Sequence, residues 1–277
     1  MDDFDEKMFQ RFRDLIYQAS GICFSDVNRV VLESRLTEIL RERKFPSLMA
    51  YFDLVSNDEN EMKKLLDAVT TNLTRFFRNI SHFDTLKNYV IPNLIKYKES
   101  IGDKSFKFWS AGCSTGEECY SVAIYLKEFL PPDYKIKVVG SDLSLTSLLT
   151  ANQGRYKKDK VKDIPEEYLN KYFTLDGDYY CVSDEIKSLI QFDYHNLKYR
   201  PLLLNNDVVF CRNVLIYFDE AAQEAVCNLI WETMSAYSFF FIGHSESLFG
   251  MNTQFKMKKT DWAYIYEKNI KGINYDR

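Results

Sequence analysis

The sequence predicts an α/β fold: a mainly parallel sheet with helices on both faces and a small antiparallel β insertion, preceded by an all-helical amino-terminal domain. Three observations predict it. Residues 1–72 repeat their apolar positions at helical spacing with no strand signal between them. From Ser105 onward, short β-rich runs alternate with helical segments, the pattern of parallel strands joined by crossover helices. The chain of 277 residues is 46% hydrophobic, enough for a substantial core. These give a helical domain over 1–72, a linker and packing helix over 73–104, and a sheet domain over 105–277 with its β insertion at about 157–188.

In the first domain the stripes run through Phe9, Phe12, Leu15 and Ile16, then Val30, Val31, Leu36, Ile39 and Leu40. Pro46 and the SND stretch at 56–58 interrupt them, and Ser47 and Asp58 are suitable N-caps, so about four helices are expected. The sheet strands are read in SFKFWSAG, KIKVVGSD, SLIQFDYH, DVVFCRN and YSFFFIGHS, each apolar through its middle, as strands buried on both faces should be. The closing FKMKKTDWAYIYEK, 255–268, suggests an antiparallel hairpin on one sheet edge. KYFTLDGDYYCVSDEIKS, with Asp176-Gly177 as a hairpin turn, is the β insertion.

A net charge of only −4 argues against a nucleic-acid footprint. The acidic opening MDDFDEKMFQ lacks an export signal, and no apolar run approaches the ~20 residues that span a bilayer. A cytoplasmic protein with no direct membrane insertion is expected, its six cysteines free thiols. His82, His195 and His244 are scattered without ligand spacing to a cysteine, so no metal site is expected. No sustained heptad asks for a partner copy, which leaves a monomer as the default.

The chemistry concentrates in FWSAGCSTGEECYSVAIYL, 108–126, a strand, a glycine turn and a helix. Gly112 and Gly116 bracket the turn but do not form the dinucleotide fingerprint. Glu117 and Glu118 open the helix where a pyrophosphate would have to sit, and like charges at ~4 Å repel by roughly 1 to 4 kcal/mol. A nucleoside without phosphates that carries positive charge fits better, and S-adenosylmethionine is such a molecule. Asp142 ends the second strand near the interval, roughly 20 residues, at which an acid reaches ribose hydroxyls. Taken alone, Asp142 reads equally as a surface acid capping the helix that begins near Ser144.

Together these pieces resemble the CheR family, chemotaxis receptor methyltransferases that esterify glutamate side chains. TTNLTRFFRNISHF at 70–83 is similar to the family's interdomain segment, WSAGCSTGEECYS at 109–121 to its glycine turn, and GSDLS at 140–144 to its ribose strand. FCRNVLIYFDE at 210–220 and FIGHSESL at 241–248 resemble its late strand motifs. The resemblance spans nearly the whole chain and implies a Rossmann-like methyltransferase sheet that binds S-adenosylmethionine and releases S-adenosylhomocysteine. Carried over by position, it implies that Asn72, Thr74 and Arg78 cover the cofactor and that Glu118 and Asp142 bind its adenosine moiety. Asn196 and Leu197 would line the adenine side, and Arg212 and Asn213 would close the pocket. Arg78 and Tyr217 match the pair that acts at methyl transfer. Without the resemblance, Arg78 reads as a surface ion-pair partner and Tyr217 as a core aromatic.

The resemblance further implies that the partners are methyl-accepting chemotaxis receptors, met by the helical domain. Arg29, Arg35, Arg41, Arg43 and Lys44, set against Glu33, Glu38 and Glu42, are its cationic candidates, though they also read as a solvated helix face. Some family members grip a receptor-terminal pentapeptide through a glycine-rich loop of the β insertion. TLDGDYYCVSDE has one glycine and a short turn, so no such tether is expected. A different methyl acceptor, or a cofactor-binding signalling module without turnover, stays open because fold does not determine substrate.

Overall fold

The computed structural model describes residues 5–270 and 272–273; residues 1–4 of the acidic opening, residue 271 and residues 274–277 at the end of the expected sheet domain lie outside the described residues. Four helices build the first unit: α1 (Glu6–Ser20), α2 (Arg29–Arg43), α3 (Leu48–Asn57) and α4 (Glu59–Val69). Both expected caps are present, the Ser47 hydroxyl accepting the Ala50 N–H at 3.1 Å and the Asp58 carboxylate accepting the Asn60 N–H at 2.8 Å. Phe9, Phe12, Ile16, Leu32, Leu36, Tyr51 and Leu65 close the core. Val30 and Val31 do not belong to it: they are 72% and 45% exposed, because Leu32, Leu36 and Ile39 supply the inward stripe of α2. Gly21 ends α1 at φ 78, and the extended stretch after it bridges Ile22 to Phe218 of the sheet domain. That strand-like contact was not expected within a helical domain.

A connecting segment then leads through α5 (Ile80–Thr85), a π turn at Leu86–Val90, and α6 (Ile91–Ser100). The main sheet uses β1 (Ser105–Ala111), β2 (Lys135–Asp142), β6 (Ile190–Tyr194), β7 (Asn206–Cys211), β8 (Met234–Ile242), β9 (Lys256–Lys259) and β10 (Tyr264–Asn269). The crossover helices are α7 (Glu117–Phe129), α8 (Leu145–Gln153) and α11 (Glu220–Thr233). The strand order is β6-β2-β1-β7-β8-β10-β9, with the first five strands parallel and the carboxyl-terminal pair antiparallel. The winding runs one way from β1 and restarts the other way at β7, so the switch point lies between these two strands, where α/β sheets open a crevice for ligands.

Side chains from β1, β7 and β8 alternate between two aromatic-rich cores, Phe106, Phe108 and Phe210 on one face, Trp109, Val209 and Phe240 on the other. SLIQFDYH departs from the expectation of burial on both faces. Its strand β6 is the sheet edge, covered on one side only, and its residues are half-exposed. The insertion folds as β3 (Arg155–Lys157), α9 (Glu166–Tyr172), β4 (Phe173–Asp176), β5 (Tyr179–Val182) and α10 (Asp184–Lys187), with strand order β3-β5-β4. Its sheet thus begins at Arg155. Asp176 pairs with Tyr179, so the two-residue loop is Gly177-Asp178 rather than Asp176-Gly177, with Gly177 at φ 60 in the first central position.

Candidate functional site

A cavity of about 450 Å³ opens at the carboxyl ends of β1, β2, β6 and β7 and is roofed by the helical unit. Its size falls within the ~300–1,000 Å³ usual for small-molecule sites. At its floor the turn after β1 is held by its neighbour strand. The N–H groups of Gly112 and Cys113 both donate to the Ser141 carbonyl, at 2.8 and 3.0 Å. Gly112 lies at φ 84, and a Cβ there would come 2.4 Å from Val214 Cγ2, so only glycine lets the β1 and β7 loops meet. Gly116 serves a different contact: a Cβ would meet Ala151 Cβ at 2.8 Å, and the residue does not line the cavity. Its glycine is required by the packing of α7 against α8, rather than by a ligand.

Asp142 is 8% exposed, not a surface acid. One carboxylate oxygen accepts the Ser114 N–H at 2.7 Å and the other the Ser144 N–H at 2.8 Å, so it joins two loops while facing the cavity. Burial raises its pKa, against the pull of those backbone donors. Glu118 accepts the Ser110 hydroxyl at 2.7 Å and the Arg212 guanidinium at 3.1 Å. Burial raises the Glu118 pKa and Arg212 opposes the shift. The Arg212 side chain is 1% exposed and also donates to the Arg78 carbonyl, tying the interdomain segment to the end of β7.

Glu117 is buried as well but turns away from the cavity, accepting the Thr115 hydroxyl at 2.6 Å. Burial raises its pKa. A carboxyl that binds its proton more tightly folded than unfolded contributes stability at low pH that is lost as pH rises through its folded pKa. Glu117→Gln, which keeps an oxygen for Thr115 and removes the charge, should therefore raise the thermal midpoint at pH 7. The gain should vanish as pH falls toward the ordinary glutamate value of about 4.3, which thermal melts across pH would check.

The roof presents Arg78 by a strained route. Phe77 and Asn79 on either side have φ 49 and φ 62; asparagine tolerates this left-handed region, but a phenylalanine there is an outlier of the kind that clusters at functional sites. Phe77 is held there by the Ser121 hydroxyl, which accepts its N–H at 2.9 Å, and by packing against Phe83 and Tyr125. Across the cavity, Tyr217 ends the turn Leu215–Tyr217, and its carbonyl accepts the Cys23 N–H of the helical unit at 2.8 Å.

Of the residues expected from sequence, Asn72, Thr74, Arg78, Gly112, Glu118, Asp142, Asn196, Leu197, Arg212, Asn213 and Tyr217 all line this cavity. The Asn196 side chain is committed elsewhere: its amide donates to the Ala19 carbonyl at 2.8 Å and its oxygen accepts the Lys198 N–H at 3.1 Å. Residues not expected include Ser20, Ile22, Cys23, Phe24 and Asn28 of the helical unit, together with Ser114 and His195. The β-prone ICF after Gly21 was the visible signal for Ile22, Cys23 and Phe24, while Ser114 stands within the quoted glycine-turn motif. Arg43, a candidate for the cationic face, is bound to Glu61 at 2.5 Å and lies over Phe45, so it holds the helical core.

The side chains fit a nucleoside-like cation. Buried Arg212 Nε, Asn213 Oδ1, Asn28 Oδ1 and His195 Nε2 have no partner among the described residues, and all four residues line the cavity. Leu197, Phe24 and Val214 supply apolar wall, and Glu118 and Asp142 supply negative charge.

The family model described as "CheR methyltransferase, SAM binding domain" matches residues 72–264, and that described as "CheR methyltransferase, all-alpha domain" matches residues 7–70. The chain belongs to the CheR methyltransferase family. Its SAM-binding match takes in the whole floor of the cavity, and the all-alpha match takes in the helices that roof it. The CheR chain is 32% identical over 268 residues to a chemotaxis protein methyltransferase of Borreliella burgdorferi, covering 94% of this chain and 93% of that one. It is 33% identical over 273 residues to chemotaxis protein methyltransferase 2 of Vibrio cholerae, with 95% and 93% covered. A chemotaxis protein methyltransferase of Salmonella typhimurium is 30% identical over 270 residues, with 94% and 91% covered. Among the described residues no group of three or more His, Cys, Asp or Glu could hold a metal ion, and no helix is long and apolar enough to cross a membrane.

Proposed function

We propose that this S-adenosylmethionine-dependent methyltransferase esterifies glutamate side chains on the cytoplasmic helical region of chemotaxis receptors. The observation that carries the reading is Arg78, presented between two left-handed residues into the same cavity as Tyr217 and the buried acids Glu118 and Asp142. The bound cofactor supplies an electrophilic methyl group. A glutamate acceptor is already ionised at pH 7, so the protein has no need of a general base. Its task is alignment and the removal of water from the nucleophile. Arg78 would hold the acceptor carboxylate in its planar fork and the Tyr217 hydroxyl would fix the second oxygen. Glu118, Asp142, Leu197, Arg212 and Asn213 would hold the adenosine and amino-acid portions, with Asn72 and Thr74 covering them.

The two-residue Gly177-Asp178 loop of the insertion supports methylation without a pentapeptide tether. The test is transfer of labelled methyl to receptor-bearing membranes, counted before and after mild alkali, which cleaves carboxyl esters and spares N-methyl groups. The expected result is alkali-labile label on a receptor-sized protein, equal for receptors with and without their last residues and absent with Arg78→Ala. Alkali-stable label, or none on a receptor, would overturn the acceptor assignment.

A further inference from the structure

Between β8 and β9 the chain passes through Gly243-His244-Ser245-Glu246, and the Glu246 carboxylate turns back onto the segment after β7. Its Oε2 accepts the Asn213 N–H at 2.9 Å and also the Gly243 N–H, while Oε1 accepts the Ile216 N–H at 3.3 Å. Three backbone donors from two loops converge on one side chain. Glu246 itself does not line the cavity, whereas Arg212, Asn213, Ile216 and Tyr217 do.

The geometry explains two local oddities. Asn213 adopts φ 60, a left-handed conformation that asparagine tolerates better than most residues, and the charge-assisted bond to its N–H holds it there. Gly243 is glycine for room: a Cβ there would lie 2.7 Å from Glu246 Oε2 and 2.8 Å from Asn213 Nδ2. The carboxylate can enter only because that side chain is missing.

We propose that Glu246 is a positioning residue for methyl transfer, clamping the segment from Arg212 to Tyr217 so that its cofactor-facing and acceptor-facing side chains are held in one arrangement. The inference rests on the methyl-transfer reading for its activity arm only. Glutamine offers a single acceptor oxygen, so Glu246→Gln can keep the Asn213 bond and must lose the Ile216 bond, whereas Glu246→Ala loses all three. Gly243→Ala should reproduce the defect with Glu246 intact.

The experiment is amide hydrogen exchange on the full chain, with S-adenosylhomocysteine calorimetry and receptor methylation on the same preparations. In Glu246→Ala the amides of Asn213 and Ile216 should exchange about tenfold faster, the loss expected for a hydrogen bond to a charged group, while those of β1 and β2 keep their protection. S-Adenosylhomocysteine should bind about tenfold more weakly, and methyl-transfer turnover should fall further than affinity does. Glu246→Gln should recover part of each loss. Unchanged exchange and affinity in Glu246→Ala would overturn the proposal, as would protection lost evenly across the sheet or a glutamine variant no better than alanine. A wild-type protein that labels no receptor would overturn the acceptor assignment alone, because exchange and cofactor binding still judge the clamp.

Discussion

Replacing Arg212 with methionine should weaken S-adenosylhomocysteine binding by a factor of roughly 100 or more, and should lower the unfolding midpoint even without ligand. Methionine preserves much of the apolar stem and removes the guanidinium, whose bonds go to Glu118 at 3.1 Å and to the Arg78 carbonyl. Glu118 then keeps only the Ser110 hydroxyl, at 2.7 Å. Stranding one charge of a buried pair costs about 3–5 kcal/mol. Because burial already raises the Glu118 pKa and Arg212 opposes it, losing Arg212 raises it further. The stability deficit should thus be largest at pH 7–8 and should shrink as pH falls toward the usual glutamate range. Adding Glu118→Gln should restore the midpoint without restoring affinity. Binding within threefold of wild type would show that Arg212 serves only the fold.

Arg78→Ala should lower receptor methylation turnover by about 100- to 1,000-fold, the scale lost when a charged group no longer aligns a reactant. Arg78→Lys should lose nearly as much, since an ammonium is a point charge and cannot hold both carboxylate oxygens in one plane. The distinction is measurable in single-turnover assays at saturating cofactor. A lysine variant close to wild type would mean that charge alone matters and that the fork geometry proposed for Arg78 is wrong. The strained backbone of Phe77 favours geometry, because an outlier of this kind at a bulky residue persists where the surrounding structure holds the neighbouring side chain in one direction.

Much of this was legible in the sequence because each signal was local. Helical spacing in the first 72 residues, caps at Ser47 and Asp58, and apolar strand runs are all properties of neighbours in the chain. Gly112 and Asp142 were legible for a related reason, since strand ends in a parallel sheet point to one side, while Asn196 and Arg212, which follow β6 and β7 around the same opening, were legible through the family resemblance. Where the reading departed, the cause was distant in sequence. Val30 and Val31 fit the helical stripe but stay out of the helical core because of what α2 packs against, Val30 exposed and Val31 on the cavity wall. Gly116 stands in the glycine turn but answers to Ala151 of another helix. Asn196 sits where a cofactor contact was expected, and its side chain is held by Ala19 of the helical unit.

The sequence determined the two-part architecture and, through its family motifs, most of the residues that surround the cavity. Only the tertiary structure decided that Glu117 turns away from the cavity onto Thr115, that Arg212 pairs with Glu118, and that the Ile22–Phe24 stretch closes the other side. The physical reason is that period and propensity act over a few residues. Burial, pairing and the direction of a side chain depend on partners such as Glu118 and Arg212, or Glu246 and Asn213, that come together only when the chain folds.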